Sequence, residues 1–110
     1  MPTAYKVLGQ SNPSATTETT LYTVPATTSS VVSTVAIANQ TATAATYRIA
    51  VRPSADTTTA AKHWVVYGAT VPASDSIFLT LGVTLATGDK IQVYASTANL
   101  SFSAFGSEIS

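Results

Sequence analysis

The sequence contains no cysteine and a single histidine, His63, among its 110 residues. Without cysteine the chain can form no disulfide, no thiolate-bound zinc site and no cysteine nucleophile. One histidine also disfavours a zinc site built from imidazole ligands. These absences remove several classes of stabilising and catalytic site.

Charged residues are also scarce. Lys, Arg, Asp and Glu make up 9% of the chain, against roughly 25% in an average soluble domain. Five basic and five acidic residues give a formal net charge of zero, and no basic stripe is present. We therefore expect no nucleic-acid partner and no membrane association through anionic lipids. A weakly charged surface is better tolerated in a subunit packed against neighbours than in a free protein.

Long apolar runs are missing as well. No segment approaches the roughly 18 apolar residues of a membrane span. Residues 1–6 lack the basic segment followed by an apolar stretch that marks a signal peptide. We therefore expect a product made in the cytoplasm, with neither a signal peptide nor a transmembrane segment.

What the chain does contain is an alternation of apolar and polar residues with period two. In residues 47–52, Tyr47, Ile49 and Val51 alternate with Arg and Ala, the pattern of a strand with one buried face. Similar runs predict further inward-facing sets: Ile91, Val93 and Ala95; Ile77, Leu79 and Leu81; Leu100, Phe102 and Ala104; and Val31, Ser33, Val35 and Ile37. The remaining predicted strands are residues 5–8, 20–24 and 62–67.

Turn signals separate these runs, and no segment keeps a helical period over three turns. About eight short strands at roughly ten-residue spacing predict an all-β domain, an antiparallel β-sandwich or jelly-roll-like fold. The predicted organisation is an N-terminal arm or first strand at residues 1–14, followed by the β-sandwich domain at residues 15–110.

Two similar segments, residues 23–26 and 70–73, both read Thr-Val-Pro-Ala and both follow a predicted strand. Proline donates no hydrogen bond to a β-ladder and therefore belongs at strand ends or edges. The repeat favours a structural role, in which each copy ends one strand and turns the chain toward the next, over a direct role in ligand binding.

No constellation of residues typical of an enzyme stands out. His63 lies between Lys62 and Trp64 without a Gly-x-Ser-x-Gly motif in the chain, which favours a partly exposed strand histidine over a catalytic base. Asp75 and Asp89 fit turn residues that bond to their own backbone. We therefore expect no enzymatic activity, no catalytic residues, no cofactor and no metal.

The aromatic residues leave one alternative open, a carbohydrate-binding module for host adhesion. The rings that would line a sugar platform are Trp64, Tyr67, Tyr94, Phe102 and Phe105. Core packing or a subunit contact is the commoner role of aromatic residues in a small β domain, so the module stands as the second alternative.

Several motifs carry a resemblance to a known class of protein. They are residues 21–26 (Leu-Tyr-Thr-Val-Pro-Ala), 35–40 (Val-Ala-Ile-Ala-Asn-Gln), 47–51, 71–76 and 85–96, which contains Gly-Asp-Lys-Ile-Gln-Val-Tyr-Ala-Ser. With these motifs the chain resembles small structural proteins of tailed bacteriophages, including phages of cyanobacteria, over most of its length from about Thr20. The motifs belong to the scaffold, and the resemblance supplies no catalytic residue.

The resemblance implies a non-enzymatic component of the virion. The leading expectation is a capsid decoration, or cement, protein that stabilises the shell through subunit contacts, because a lone small domain without fibre repeats suits that place. A structural component of the tail or baseplate is the alternative. The implied partners are the major capsid protein or the tail and baseplate proteins of the same particle, and further copies of the chain, a trimer being one option.

Two groups of residues are candidate assembly contacts. They are Tyr5, Lys6, Val7 and Leu8 in the first group, and Trp64 and Tyr67 in the second. The first group would be an arm that adds a strand to a neighbour, or else an ordinary first strand of the chain's own sheet. Aromatic residues such as those of the second group carry much of the binding energy of many interfaces, although core burial would equally explain Trp64.

Overall fold

The computed structural model describes residues 3–110, so the first two residues of the predicted arm, Met1 and Pro2, lie outside the described residues. The strands are β1 (Thr3–Ser11), β2 (Thr19–Thr23), β3 (Ser29–Asn39), β4 (Ala45–Arg52), β5 (Trp64–Val71), β6 (Ser76–Leu85), β7 (Lys90–Ala95) and β8 (Leu100–Ile109). A single 3-10 turn, Ala61–His63, precedes β5 in this part of the chain. None of the helical structure within residues 3–110 is long and apolar enough to cross a membrane.

The strands form two four-stranded sheets, which confirms the predicted antiparallel β-sandwich. Sheet I has the order β1-β8-β3-β6 and sheet II the order β2-β7-β4-β5. All pairs of neighbouring strands are antiparallel. The first strand pairs with the eighth, the second with the seventh, the third with the sixth and the fourth with the fifth. This order of pairing is that of a jelly roll.

The core lies between the two sheets and confirms most of the inward-facing residues that the alternation predicts. The wholly buried members of the predicted sets are Val35, Ile37, Ile49, Ile91, Val93, Ala95, Leu100, Phe102 and Ala104. Phe102 is the largest of them, and its ring meets the ring of Tyr47 edge-on at 6.3 Å between centroids. Burial of each large apolar side chain stabilises the fold by about 2 kcal/mol.

The predicted inward face of β3 is partly wrong. Val35 and Ile37 are wholly buried as expected, but their inward neighbour is Val32, whereas Val31 is only half-buried and Ser33 is exposed. The register of β3 shifts between Val32 and Thr34 against both of its neighbours. Such a β-bulge inserts one extra residue and reverses the alternation, which a period-two pattern does not anticipate.

The repeated Thr-Val-Pro-Ala segments have the predicted structural role. Strand β2 ends at Thr23 and strand β5 ends at Val71. Pro25 and Pro72 follow these strand ends within two residues. Both segments continue into a turn that contains a residue with positive φ, 54° at Thr27 and 53° at Ser74. The repeat therefore marks two similar turns that lead from sheet II into sheet I.

The prediction of a strand over residues 62–67 is wrong at Lys62 and His63, and the prediction that His63 is partly exposed is also wrong. His63 belongs to the 3-10 turn and is buried, and β5 begins at Trp64. The Nδ1 atom of His63 accepts a hydrogen bond from the backbone N–H of Ala60 at 2.8 Å. The neutral ring therefore carries its proton on Nε2, which lies 2.9 Å from the Asp56 carboxylate. Because both ring nitrogens have partners, the imidazole can be buried.

Candidate functional site

The two groups of predicted contact residues lie on opposite edges of the sandwich. The first group is in β1, the edge strand of sheet I, and the second is in β5, the edge strand of sheet II. Since β1 packs against β2, at the other edge of sheet II, β1 and β5 are far apart. The structure therefore divides the predicted contacts into two separate surfaces.

Within β1 the alternation of side chains also divides the first group. Tyr5 and Val7 point outward from sheet I and are 85% and 48% exposed. Lys6 turns the other way and forms a 2.7 Å salt bridge with Glu108, and Leu8 packs against the core. Only Tyr5 and Val7 are thus available on the outer surface.

The outer surface of sheet I is uncharged. Three rows of cross-strand partners cross it: Tyr5–Ser107–Val31–Thr84, Val7–Phe105–Thr34–Thr80 and Gln10–Ser103–Ala36–Phe78. We call these rows the uncharged face. Its strands are 9 to 11 residues long, so four strands at the usual spacings give an area of roughly 600 Å². Phe78, at the far edge, is 68% exposed.

A shallow groove of about 570 Å³ crosses the β1 end of this surface. Its lining consists of Tyr5, Lys6, Val7, Val31, Ser33, Phe105, Gly106 and Ser107. Lys6 is the one charged residue among them, and its ammonium group is paired with Glu108. The bulge in β3 contributes to the groove, because it turns Val31 outward beside β8. The uncharged face is therefore not flat but has an apolar depression near its exposed edge strand.

A polar network beneath β1 holds this edge in place. The Glu108 carboxylate accepts hydrogen bonds from Lys6 and from the hydroxyl of Tyr22, whose oxygen lies 2.6 Å from that of Ser30. The bonds from Lys6 and then Tyr22 hold the pKa of Glu108 below its usual value. Burial, followed by the bond to Glu108, raises the pKa of Tyr22 to about 12. The network links β1 and β8 of sheet I to β2 of sheet II.

The second surface is a cluster of aromatic rings around Arg48 on the outside of sheet II. The guanidinium carbon of Arg48 lies 4.1 Å from the ring centroid of Tyr67, 4.3 Å from that of Tyr94 and 5.9 Å from that of Trp64. Tyr67 and Trp64 meet edge-on at 5.6 Å, and Tyr67 is 64% exposed. We call these four residues the Arg48 cluster.

The Arg48 cluster corrects the predicted sugar platform. Trp64, Tyr67 and Tyr94 do come together, but Phe102 is wholly buried in the core and Phe105 lies on the uncharged face of the other sheet. Arg48 itself was not among the predicted site residues. The alternation of β4 placed it on the outer face, but the neighbouring rings follow from the register of β4 with β5 and β7.

A loop before β5 forms one wall of a groove beside this cluster. The groove has a volume of about 440 Å³ and is lined by Thr59, Ala60, Ala61, Trp64 and Tyr67. His63 holds the loop through its bonds to Ala60 and Asp56. The Thr59 hydroxyl also donates to Glu18, which accepts a bond from Gln92 as well. The loop is therefore braced internally by His63 and linked to β7 through Glu18 and Gln92.

The carboxylates of the described chain serve mainly as structural acceptors. Asp75 accepts a bond from the N–H of Ser76, and Asp89 accepts bonds from the N–H groups of Ala86 and Ser54, as expected of turn residues. Within residues 3–110 no group of three or more His, Asp or Glu side chains is arranged to hold a metal ion.

No family model, curated protein or solved structure matches this chain. The functional interpretation is therefore carried by the geometry of two surfaces. One is the uncharged face of sheet I, with the exposed rings of Tyr5 and Phe78. The other is the Arg48 cluster of sheet II, with its adjoining groove.

Proposed function

We propose that this chain is a non-enzymatic structural protein of a tailed-phage virion, and within the virion a capsid decoration protein that stabilises the shell through subunit contacts. The observation that supports this proposal is the uncharged face of sheet I, which displays Tyr5, Phe78 and Phe105 among aliphatic, hydroxyl-bearing and amide side chains.

The chemistry of this face suits permanent burial against another protein. A surface without charges can be covered without removing ions from water, which is the main cost of burying polar surfaces. The footprint of the sheet, roughly 600 Å² from its strand spacings, is of the same order as the accessible surface of about 800 Å² that each partner buries in an interface of standard size. Tyr5 and Phe78 would supply the aromatic anchors that typically dominate interface energy.

The partner in this proposal is the major capsid protein, with further copies of the chain beside it. The edge strand β1 offers unpaired backbone groups along one side for a neighbouring strand, which is a common means of linking β domains. A tail or baseplate component would use the same face and the same edge. The two positions differ in the number of copies per particle.

Quantitative mass spectrometry of purified particles tests the proposal. The chain should be present at a copy number equal to that of the major capsid protein or at a simple, sizeable fraction of it. A few copies per particle would instead place it in the tail or baseplate. Absence from washed, intact particles would overturn the virion proposal altogether.

A carbohydrate-binding module is the second candidate function, and the Arg48 cluster is the observation that favours it. Three aromatic rings on one face and a groove beside them are the elements of a sugar-binding surface. Binding on a glycan array that is lost in Trp64→Ala and Tyr94→Ala would support this function. An array without signal for the folded protein would contradict it.

A further inference from the structure

We propose that the Arg48 cluster binds an acidic sugar, with the guanidinium of Arg48 pairing with the sugar carboxylate and Tyr67 and Trp64 packing against the pyranose ring. This inference rests on the second candidate function and specifies its ligand. It is compatible with attachment to a virion through the opposite face.

The unpaired charge of Arg48 is the first observation that points to an acidic ligand. The salt bridges within residues 3–110 join Lys6 to Glu108, Arg52 to Glu18 and His63 to Asp56. Arg48 therefore has no carboxylate partner in the described chain. Asp56, within the loop, and Glu18, which is bonded to Thr59 of the loop, are already engaged with other groups.

The rings beside Arg48 give its charge a fixed position. Arg48 is the cross-strand partner of Tyr67 on β5 and of Tyr94 on β7, so the rings flank it from both neighbouring strands. An arginine stacked on aromatic rings keeps its in-plane N–H donors available, and their fork matches a carboxylate in a bidentate pair. An anion bound there would therefore meet an oriented donor rather than a flexible one.

The groove beside the cluster has the shape and lining for a sugar. Tyr67 and Trp64 line the groove, and Arg48, which is not part of the lining, lies against both rings. A pyranose packed on these rings would therefore lie next to the guanidinium. Thr59 lines the groove from the loop, and its hydroxyl is held by Arg52 and Glu18. The volume of about 440 Å³ lies within the range of small-molecule sites.

Matched pairs of acidic and neutral sugars provide the test. The probes are oligosaccharides of hexuronic and sialic acids and the methyl ester of each, which keeps the ring and removes the charge. Isothermal titration calorimetry with the full chain should show that at least one acid binds about tenfold or more tightly than its ester. Arg48→Gln should abolish this preference, and Tyr67→Ala should weaken binding of acid and ester alike.

Circular dichroism of each variant establishes that it is folded, and Tyr5→Ala serves as the control because it removes an exposed aromatic ring from the opposite face. Equal affinity for acid and ester, lost on Trp64→Ala, would overturn the acidic ligand while leaving a carbohydrate-binding module. Acid binding that survives Arg48→Gln would also overturn it. Failure of the folded protein to bind any probe would overturn the ligand proposal, and failure on a broad glycan array as well would remove the module.

Discussion

Glu108 joins the edge of sheet I to sheet II through its bonds to Lys6 and Tyr22. Both donors favour the ionised carboxylate, so the pKa of Glu108 in the folded chain lies below its ordinary value of 4.5. A lowered pKa means that the folded state is stabilised by the charged form. This stabilisation is complete above the ordinary pKa and is lost as the pH falls through the folded-state value.

We predict that Glu108→Gln reduces the acid sensitivity of the fold. At neutral pH the variant should be less stable by about 1–2 kcal/mol, because its hydrogen bonds are no longer charge-assisted. As the pH is lowered from about 7 to about 3, the two proteins should converge in stability. Urea unfolding across this range measures the effect.

Asp56 provides an internal reference for this measurement. The hydrogen bond from His63 lowers the pKa of Asp56 in both proteins, so some acid sensitivity should persist in the variant. Parallel stability profiles for the wild-type chain and Glu108→Gln would show that the Glu108 network does not contribute to the acid response.

Arg48 illustrates how far a single residue could be interpreted from the sequence. The alternation in β4 predicted its outward direction, because Tyr47 and Ile49 needed the core. Its aromatic neighbours could not be predicted, since Tyr67 and Tyr94 reach it only through the register of two different strand pairs. The register of β4 with β5 also contains two shifts, which no local pattern reveals.

At the scale of the element, β1 is the strand whose role is most open to experiment. It pairs with β8 along its length, and it approaches β2 so closely that a Cβ at Gly9 would lie 2.1 Å from the carbonyl oxygen of Leu21. Most of its side chains before Leu8 are nevertheless exposed. An edge strand with so little buried surface can pair with β8 in its own sheet and still be the first strand to detach from the domain.

We predict that deletion of residues 1–12 leaves a folded but weakened domain, which, if the chain is the proposed virion protein, no longer joins the particle. The loss should be about 2–4 kcal/mol, from the partly buried Leu8 and the Lys6–Glu108 bridge. Urea unfolding and particle incorporation measure the two effects. A synthetic peptide of residues 3–11 should bind the truncated domain and restore part of its stability.

The opposite result would assign β1 to the core of the domain. If the truncated chain lacks cooperative unfolding and the peptide fails to restore it, the segment is needed for folding itself. A scrambled peptide of the same composition is the matched control, because it keeps the apolar content and removes the register with β8.

Local patterns predicted the strands well and failed where long-range geometry intervened. Strands β4, β7 and β8 followed from alternation because one face of each must be buried against the other sheet. In β3 the bulge between Val32 and Thr34 reversed the alternation. Before β5 the chain forms a 3-10 turn instead of the expected strand, and the His63 ring in this turn accepts a hydrogen bond from the Ala60 N–H. Nesting of the strands into two sheets was likewise beyond local pattern, since the first strand pairs with the eighth.

For the whole molecule, the two candidate surfaces point in opposite directions. The uncharged face covers the outside of sheet I, and the Arg48 cluster lies on the outside of sheet II. A chain fixed to a shell through sheet I would therefore present the Arg48 cluster to solvent. The proposed shell attachment and the proposed sugar binding would thus use different surfaces of one small domain.

This arrangement predicts that a charge placed on the uncharged face blocks assembly without unfolding the chain. Phe78→Asp changes an exposed side chain, so the free energy of unfolding should change little. If the face is buried in the particle, the unpaired carboxylate should reduce incorporation by at least about tenfold.

Val65→Asp is the matched control, because Val65 is an exposed apolar residue on sheet II. Each purified variant is mixed with particles that lack the chain, and the fraction bound is measured. We expect Phe78→Asp to bind poorly and Val65→Asp to bind like the unmodified chain. Equal incorporation of both variants would exclude Phe78 from the contact, whereas equal loss would indicate that charge at any exposed position prevents binding.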